Sequence, residues 1–164
     1  MKLHVFQMRF ANFTGLAKSL ALIIVALAAL NPSAHAQSLD LAPYKGKVIY
    51  VDFWASWCGP CRQSFPWMNS TYADFKARGF EIVAVNLDQD QALAKTFLSN
   101  FTPQFPVVFD PKGVVATDYH VKGMPTAVLI GRDGRMRFTH DGFKPEKESE
   151  YVSHIMALLD EKAP

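Results

Sequence analysis

The stretch Val48–Ala55 (VIYVDFWA) is apolar at both odd and even positions, the pattern of a strand covered on each face. Phe80–Asn86 (FEIVAVN) repeats that pattern. Between them Phe65, Met68, Tyr72 and Phe75 recur at helical spacing. Pro60 suits the opening of that helix, because its missing N–H has no partner to lose there, and Gly79 suits its stop. Pro66 falls inside it and predicts a kink. Two buried strands joined by a helix make a right-handed βαβ unit with parallel strands.

The pattern then changes. Gln91–Asn100 reads as a short helix, broken by Pro103 and Pro106. Val107–Phe109 reads as a brief strand that ends in the turn Asp110-Pro111-Lys112-Gly113, and Val114–Val121 as a helical or irregular link. Thr126–Ile130 and Met136–His140 flank the turn Arg132-Asp133-Gly134-Arg135 and predict an antiparallel hairpin. Glu146–Leu159 closes the chain as an amphipathic helix, with Tyr151, Ile155, Leu158 and Leu159 on its apolar side. The order of elements is that of an α/β domain. Ser38–Lys47 leads into it with a turn at Lys45-Gly46-Lys47.

Residues 1–36 do not fit this pattern. Lys2, Arg9 and Lys18 are basic, and no acid occurs before Asp40. Leu20–Leu30 is an unbroken apolar run, followed by Ala34-His35-Ala36, a small-x-small cleavage signal. These are the parts of a secretory signal peptide. A membrane anchor facing the periplasm is the alternative. Eleven helical residues reach roughly 16 Å, about half of a hydrocarbon core, which favours cleavage. The expected mature chain, residues 37–164, is a single domain large enough to bury its own core. Loss of three basic residues from 17 leaves 14 against 15 acids, a net charge of −1, which argues against a nucleic-acid binder.

Only two cysteines occur, in Trp57-Cys58-Gly59-Pro60-Cys61, directly after the first strand. A disulfide closing so short a loop restrains little chain entropy, so the spacing reads as functional. Cys58 stands just before the first helical turn, where free N–H groups and the helix dipole favour a thiolate. It is therefore the expected nucleophile, with Cys61, one turn on, as the resolving thiol. Trp57 is expected in an exposed contact surface and Phe53 in the core, while Trp54 suits either. His120, His140 and His154 lack the tight second ligand pair of a zinc site, so no metal is expected. Asp88-Gln89-Asp90 reads as a solvated turn.

The run Val51–Cys61 resembles the active-site stretch of thioredoxins. Pro66 matches the family's helix-kinking proline, and Gly123-Met124-Pro125-Thr126 resembles its cis-proline loop. Export, together with the segment Asp90–Tyr119, is similar to the TlpA-like periplasmic branch. The resemblance implies a three-layer sandwich, a central mixed sheet flanked by helices, and thiol–disulfide exchange with no cofactor beyond the Cys58–Cys61 pair. It implies that Asp52 points inward beneath Cys61 as a proton relay, and that Trp57, Gly59, Pro60, Met124 and Pro125 meet the substrate, Met124 through its backbone.

Gly59-Pro60 matches the reducing members. Expected partners are therefore protein disulfides and a membrane electron donor of the DsbD or CcdA type, with clients in cytochrome c or respiratory oxidase copper-site assembly; nothing demands a dimer. Two family helpers are replaced: Ala84 stands where thioredoxins often carry a lysine, and Ser64 where the branch often carries a glutamate. A disulfide oxidant or isomerase, or a metallochaperone-type binding module, is the alternative on the same fold.

Overall fold

The computed structural model describes residues 38–162. The expected signal peptide and its cleavage point lie outside the described residues. Five strands form one mixed sheet: β1 (Val48–Trp54), β2 (Phe80–Asn86), β3 (Val107–Phe109), β4 (Thr126–Ile130) and β5 (Met136–Asp141), in the order β3-β2-β1-β4-β5. β2 runs parallel to both β1 and β3, whereas β4 is antiparallel to both β1 and β5. Among the described residues four α-helices accompany them: α1 (Gly59–Phe75), α2 (Gln91–Phe101), α3 (Val114–Asp118) and α4 (Glu148–Leu159). The element order is that expected from the pattern of apolar positions, and the mixed sheet is the one the resemblance implied.

The period of two in β1 divides the interior into two cores. Val48, Tyr50 and Trp54 face one side, with Phe65 and Met68 of α1, Phe97 of α2 and Ile155 and Leu158 of α4. Ile49, Val51 and Phe53 face the other, with Val115 and Ala116 of α3 and the lead-in residues Leu39, Leu41 and Tyr44 packed on their rim. Helices thus cover both faces of a central sheet, the three-layer arrangement of a thioredoxin-like fold. Trp54 is fully buried, and its ring packs on Phe65 and Phe97 at centroid separations of 4.8 and 4.7 Å.

α1 runs on through Pro66 as one element, although Pro66 has no N–H to offer the Arg62 carbonyl. A single 3-10 turn, Lys76–Arg78, follows, and Gly79 ends it at φ +85°, a conformation that side-chain-bearing residues rarely adopt. The Gly79 carbonyl then accepts from Val48 N–H at 3.0 Å, which returns the helix end to the start of β1. The link after Asp110 is helical only over α3, where the buried Asp110 carboxylate accepts from Val114 and Ala116 N–H. The closing helix is shorter than expected, since Pro145–Lys147 form a separate 3-10 turn.

Candidate active site

β1 delivers the chain to the C-terminal edge of the sheet, and α1 starts within the cysteine motif. Cys58 is the N-cap of α1, with extended backbone, and Pro60 lies in the first turn. Cys58 and Cys61 are joined as a disulfide, their Cα atoms 5.3 Å apart. Cys58 Sγ accepts a hydrogen bond from Cys61 N–H at 3.2 Å, one of the donors that a helix start leaves free. Cys61 is fully buried, Cys58 is 5% exposed, and Trp57 is 69% exposed. Gly59 and Pro60 are exposed as well. The outer face of the motif is therefore Trp57, Gly59 and Pro60, with Cys58 just beneath.

Asp52 shares a face of β1 with Tyr50 and Trp54, the face on which α1 packs. It is 1% exposed, and its Oδ2 has no hydrogen-bond partner. Its neighbours in register are Ala84 on β2 and Ala127 on β4. Neither offers a counter-charge, so burial pushes the Asp52 carboxyl from its ordinary 3.8 up to about 7. Ser64 is also buried, and its hydroxyl donates to the Cys61 carbonyl at 3.1 Å.

Thr126 pairs with Phe53, which places the Met124–Pro125 loop at the end of β1 that leads to Cys58. The Met124–Pro125 bond is cis. Gly142 N–H holds the Pro125 carbonyl at 2.7 Å, and Thr126 Oγ1 donates to the Gly123 carbonyl at 2.7 Å. A groove of about 370 Å³ runs along Lys122–Thr126, bounded by Asp141 and Gly142.

One expectation is overturned. Asp88 is not a solvated turn residue but is 2% exposed, and it anchors the loop before Cys58. Its carboxylate accepts from Ser56 N–H and Ser56 Oγ–H, both at 2.9 Å, and from Asn86 Nδ2 at 2.7 Å. Three donors repay the desolvation that a lone buried carboxylate would suffer. Asp90, by contrast, is exposed and caps α2 through Ala92 N–H. Arg62 adds a second brace, donating to the Ser56 carbonyl at 3.0 Å with its guanidinium 5.3 Å above the Phe97 ring. The position of Asp88, just past the end of a parallel strand, was the available signal, since sites in α/β sheets gather there.

His140 and His154 also meet, His140 Nε2 lying 2.9 Å from His154 Nδ1. His120 is exposed, at φ +56° after α3. Among the described residues no three His, Cys, Asp or Glu side chains converge as a metal centre would require.

A cysteine pair that can open and close at a helix N-terminus, on this sheet, defines a thioredoxin-fold thiol–disulfide oxidoreductase. The Redoxin family model matches residues 9–155, and the chain belongs to that family. Thiol-disulfide oxidoreductase ResA of Bacillus thuringiensis subsp. konkukian is 35% identical over 120 residues, which is 73% of this chain and 69% of that protein. A crystal structure from Chlorobium tepidum, assigned as a thiol:disulfide interchange protein DsbE, shares 51% identity at a TM-score of 0.71, over 73% of this chain and 84% of that one. StoA from Bacillus subtilis shares 31% identity at a TM-score of 0.58, over 68% and 86%.

Proposed function

We propose that the protein reduces disulfides of extracytoplasmic proteins, with Cys58 as the attacking thiolate. The observation that carries the exchange and the attacking role of Cys58 is the asymmetry of the pair. Cys58 Sγ is the outer sulfur and already accepts the Cys61 N–H, a bond that favours its thiolate, while Cys61 is sealed beneath it. In the reduced protein Cys58 S⁻ attacks one sulfur of the client disulfide, forming a mixed disulfide and releasing the other sulfur as a thiolate. Asp52, ionised, takes the Cys61 thiol proton. Cys61 S⁻ then attacks Cys58 Sγ, the pair closes, and the client's second sulfur leaves and is protonated. Two electrons pass from the pair to the client.

An extended client segment lies along the Met124–Pro125 groove and pairs with the Met124 backbone, while Trp57, Gly59 and Pro60 supply the contact surface. The direction rests on Gly59-Pro60, which matches reducing relatives of the fold. A reductant in an oxidising compartment must be recharged, and a membrane thiol donor of the DsbD or CcdA type supplies the electrons. Clients are apoproteins with closely spaced cysteines awaiting haem or copper.

Residues 1–36 direct export and are then removed. No described helix is long and apolar enough to cross a membrane. The exported chain should then begin at Gln37, which intact mass checks.

Cys61→Ser in the native compartment tests the core of this reading. It should accumulate mixed disulfides through Cys58, and mass spectrometry of the trapped species names the clients. Failure to trap any protein removes the resolving role from Cys61. A reduction potential near that of the oxidant DsbA would reverse the proposed direction.

A further inference from the structure

The proposed exchange leaves one matter open on the same face of the sheet. Asp52 gains a proton from Cys61 in every cycle and is sealed from solvent. The lysine that would face it is replaced by Ala84. The sheet register offers another route. Ala84, Asp52, Ala127 and His140 stand side by side in one row across β2, β1, β4 and β5. Directly opposed residues point to the same face, so Asp52 and His140 project together, separated by one alanine methyl. Two strand spacings put their Cα atoms about 10 Å apart, a gap that bridging water would have to span.

Asp52 Oδ2 and His140 Nδ1 are both buried without a hydrogen-bond partner, and His140 is only 8% exposed. The other nitrogen of His140, Nε2, lies 2.9 Å from His154 Nδ1. His154 is half-buried on α4, its ring stacked on Phe138 at 4.1 Å. Orphaned carboxylate, orphaned imidazole nitrogen, paired imidazoles and solvent thus follow one another from the sheet centre to its edge.

Resting on the reading of Asp52 above, we propose that His140 and His154 are positioning residues that carry the Asp52 proton to solvent. The proton enters at His140 Nδ1 as the Nε2 proton passes to His154 Nδ1, and His154 Nε2–H releases one to water. Three proton shifts move one charge outward, no electron moves, and ring reorientation resets the tautomers. The groups that face the pair fit this role. Tyr50 of β1 and Tyr151 of α4 flank the His140 ring, at centroid separations of 6.2 and 4.6 Å, and α1 contributes the uncharged Trp67 beside both tyrosines. The charged groups are Lys144, Lys147 and Glu150 at the rim and Asp141 at the end of β5. Burial first, then His154, lowers the His140 pKa to about 4, with Lys147 adding to this and Glu150 opposing it. At neutral pH the inner imidazole therefore passes a proton without holding it.

The test separates the two steps of exchange. Reduced protein is mixed with excess oxidised glutathione, and acid-quenched samples are weighed by mass spectrometry, so that Cys58 attack and Cys61 closure are read independently between pH 6 and 8. His140→Ala should leave attack unchanged within about twofold and slow closure about tenfold at pH 7, with added imidazole, which fits the space the ring vacates, restoring the rate. His154→Leu, which removes only the outer ring, should show the same pattern and covers the case in which the inner substitution perturbs folding. Closure at the parental rate in both variants, or a slowing that imidazole does not relieve, overturns the relay. Asp52→Asn run in parallel separates the two readings. If it closes as fast as the parent, the Asp52 assignment falls and the relay with it. If it closes slowly while both histidine variants are fast, only the relay falls.

Discussion

Asp52 shows how a single residue ties the site to the stability of the fold. Its carboxyl is held protonated up to about pH 7 by burial, whereas the unfolded chain titrates near 3.8. Between those values the native state binds a proton that the unfolded state does not. Stability is therefore full below about pH 4, falls as pH rises towards 7, and is level above it. At about 1.4 kcal/mol per pKa unit, the charged form costs on the order of 4 kcal/mol. Asn mimics the protonated acid, so Asp52→Asn should match the parent in urea unfolding at pH 4 and exceed it by a few kcal/mol at pH 8.5. Equal stability at both values would place the native pKa near the unfolded one. The inward direction of Asp52 was legible in the resemblance of Val51–Cys61 to the thioredoxin active-site stretch. The His140–His154 pair was not, because their contact depends on how β5 registers on β4 and where α4 crosses them, neither of which is a local property of the chain.

The elements around the motif act as clamps. Asp88 follows β2, yet what it fixes is the segment that leaves β1, through both Ser56 donors. Asp88→Ala would leave the Ser56 and Asn86 donors unpaired in a buried place and should cost about 1–3 kcal/mol by chemical denaturation. It should also slow attack by Cys58, since the approach to the N-cap loosens. Destabilisation with an unchanged exchange rate would confine Asp88 to the fold.

Phe65 of α1 is the hub of the aromatic core, with ring centroids 4.8 Å from both Trp54 and Phe97 and further contacts to Phe101 and Phe105. Phe65→Ala should lose about 3–5 kcal/mol. A loss below about 1 kcal/mol would mean that α1 is held by its other contacts. The strands and long helices were legible because apolar periodicity specified each one locally. The role of Asp88 was hidden, because a short acidic run after a strand looks solvated until the partner loop, 32 residues earlier in the chain, is in place.

At the scale of the molecule, the question is whether the fold survives its own redox cycle. Two apolar cores lie on either side of a five-stranded sheet, and the cysteine pair belongs to one of them. The bridge closes a loop with a sequence separation of 3. On the chain-entropy account a loop this short restrains the unfolded state by about 2 kcal/mol at most. Reduction should therefore leave cooperative unfolding intact and lower its free energy by no more than about that amount. The comparison is best made at pH 5, where Asp52 stays protonated in the native state and so adds no charge of its own. A Cys58→Ser, Cys61→Ser double variant should behave as the reduced protein does, since it too lacks the bridge. Loss of cooperativity on reduction, in either form, would mean that the pair is a structural staple, and an exchange cycle that opens it at every turnover could not then be sustained.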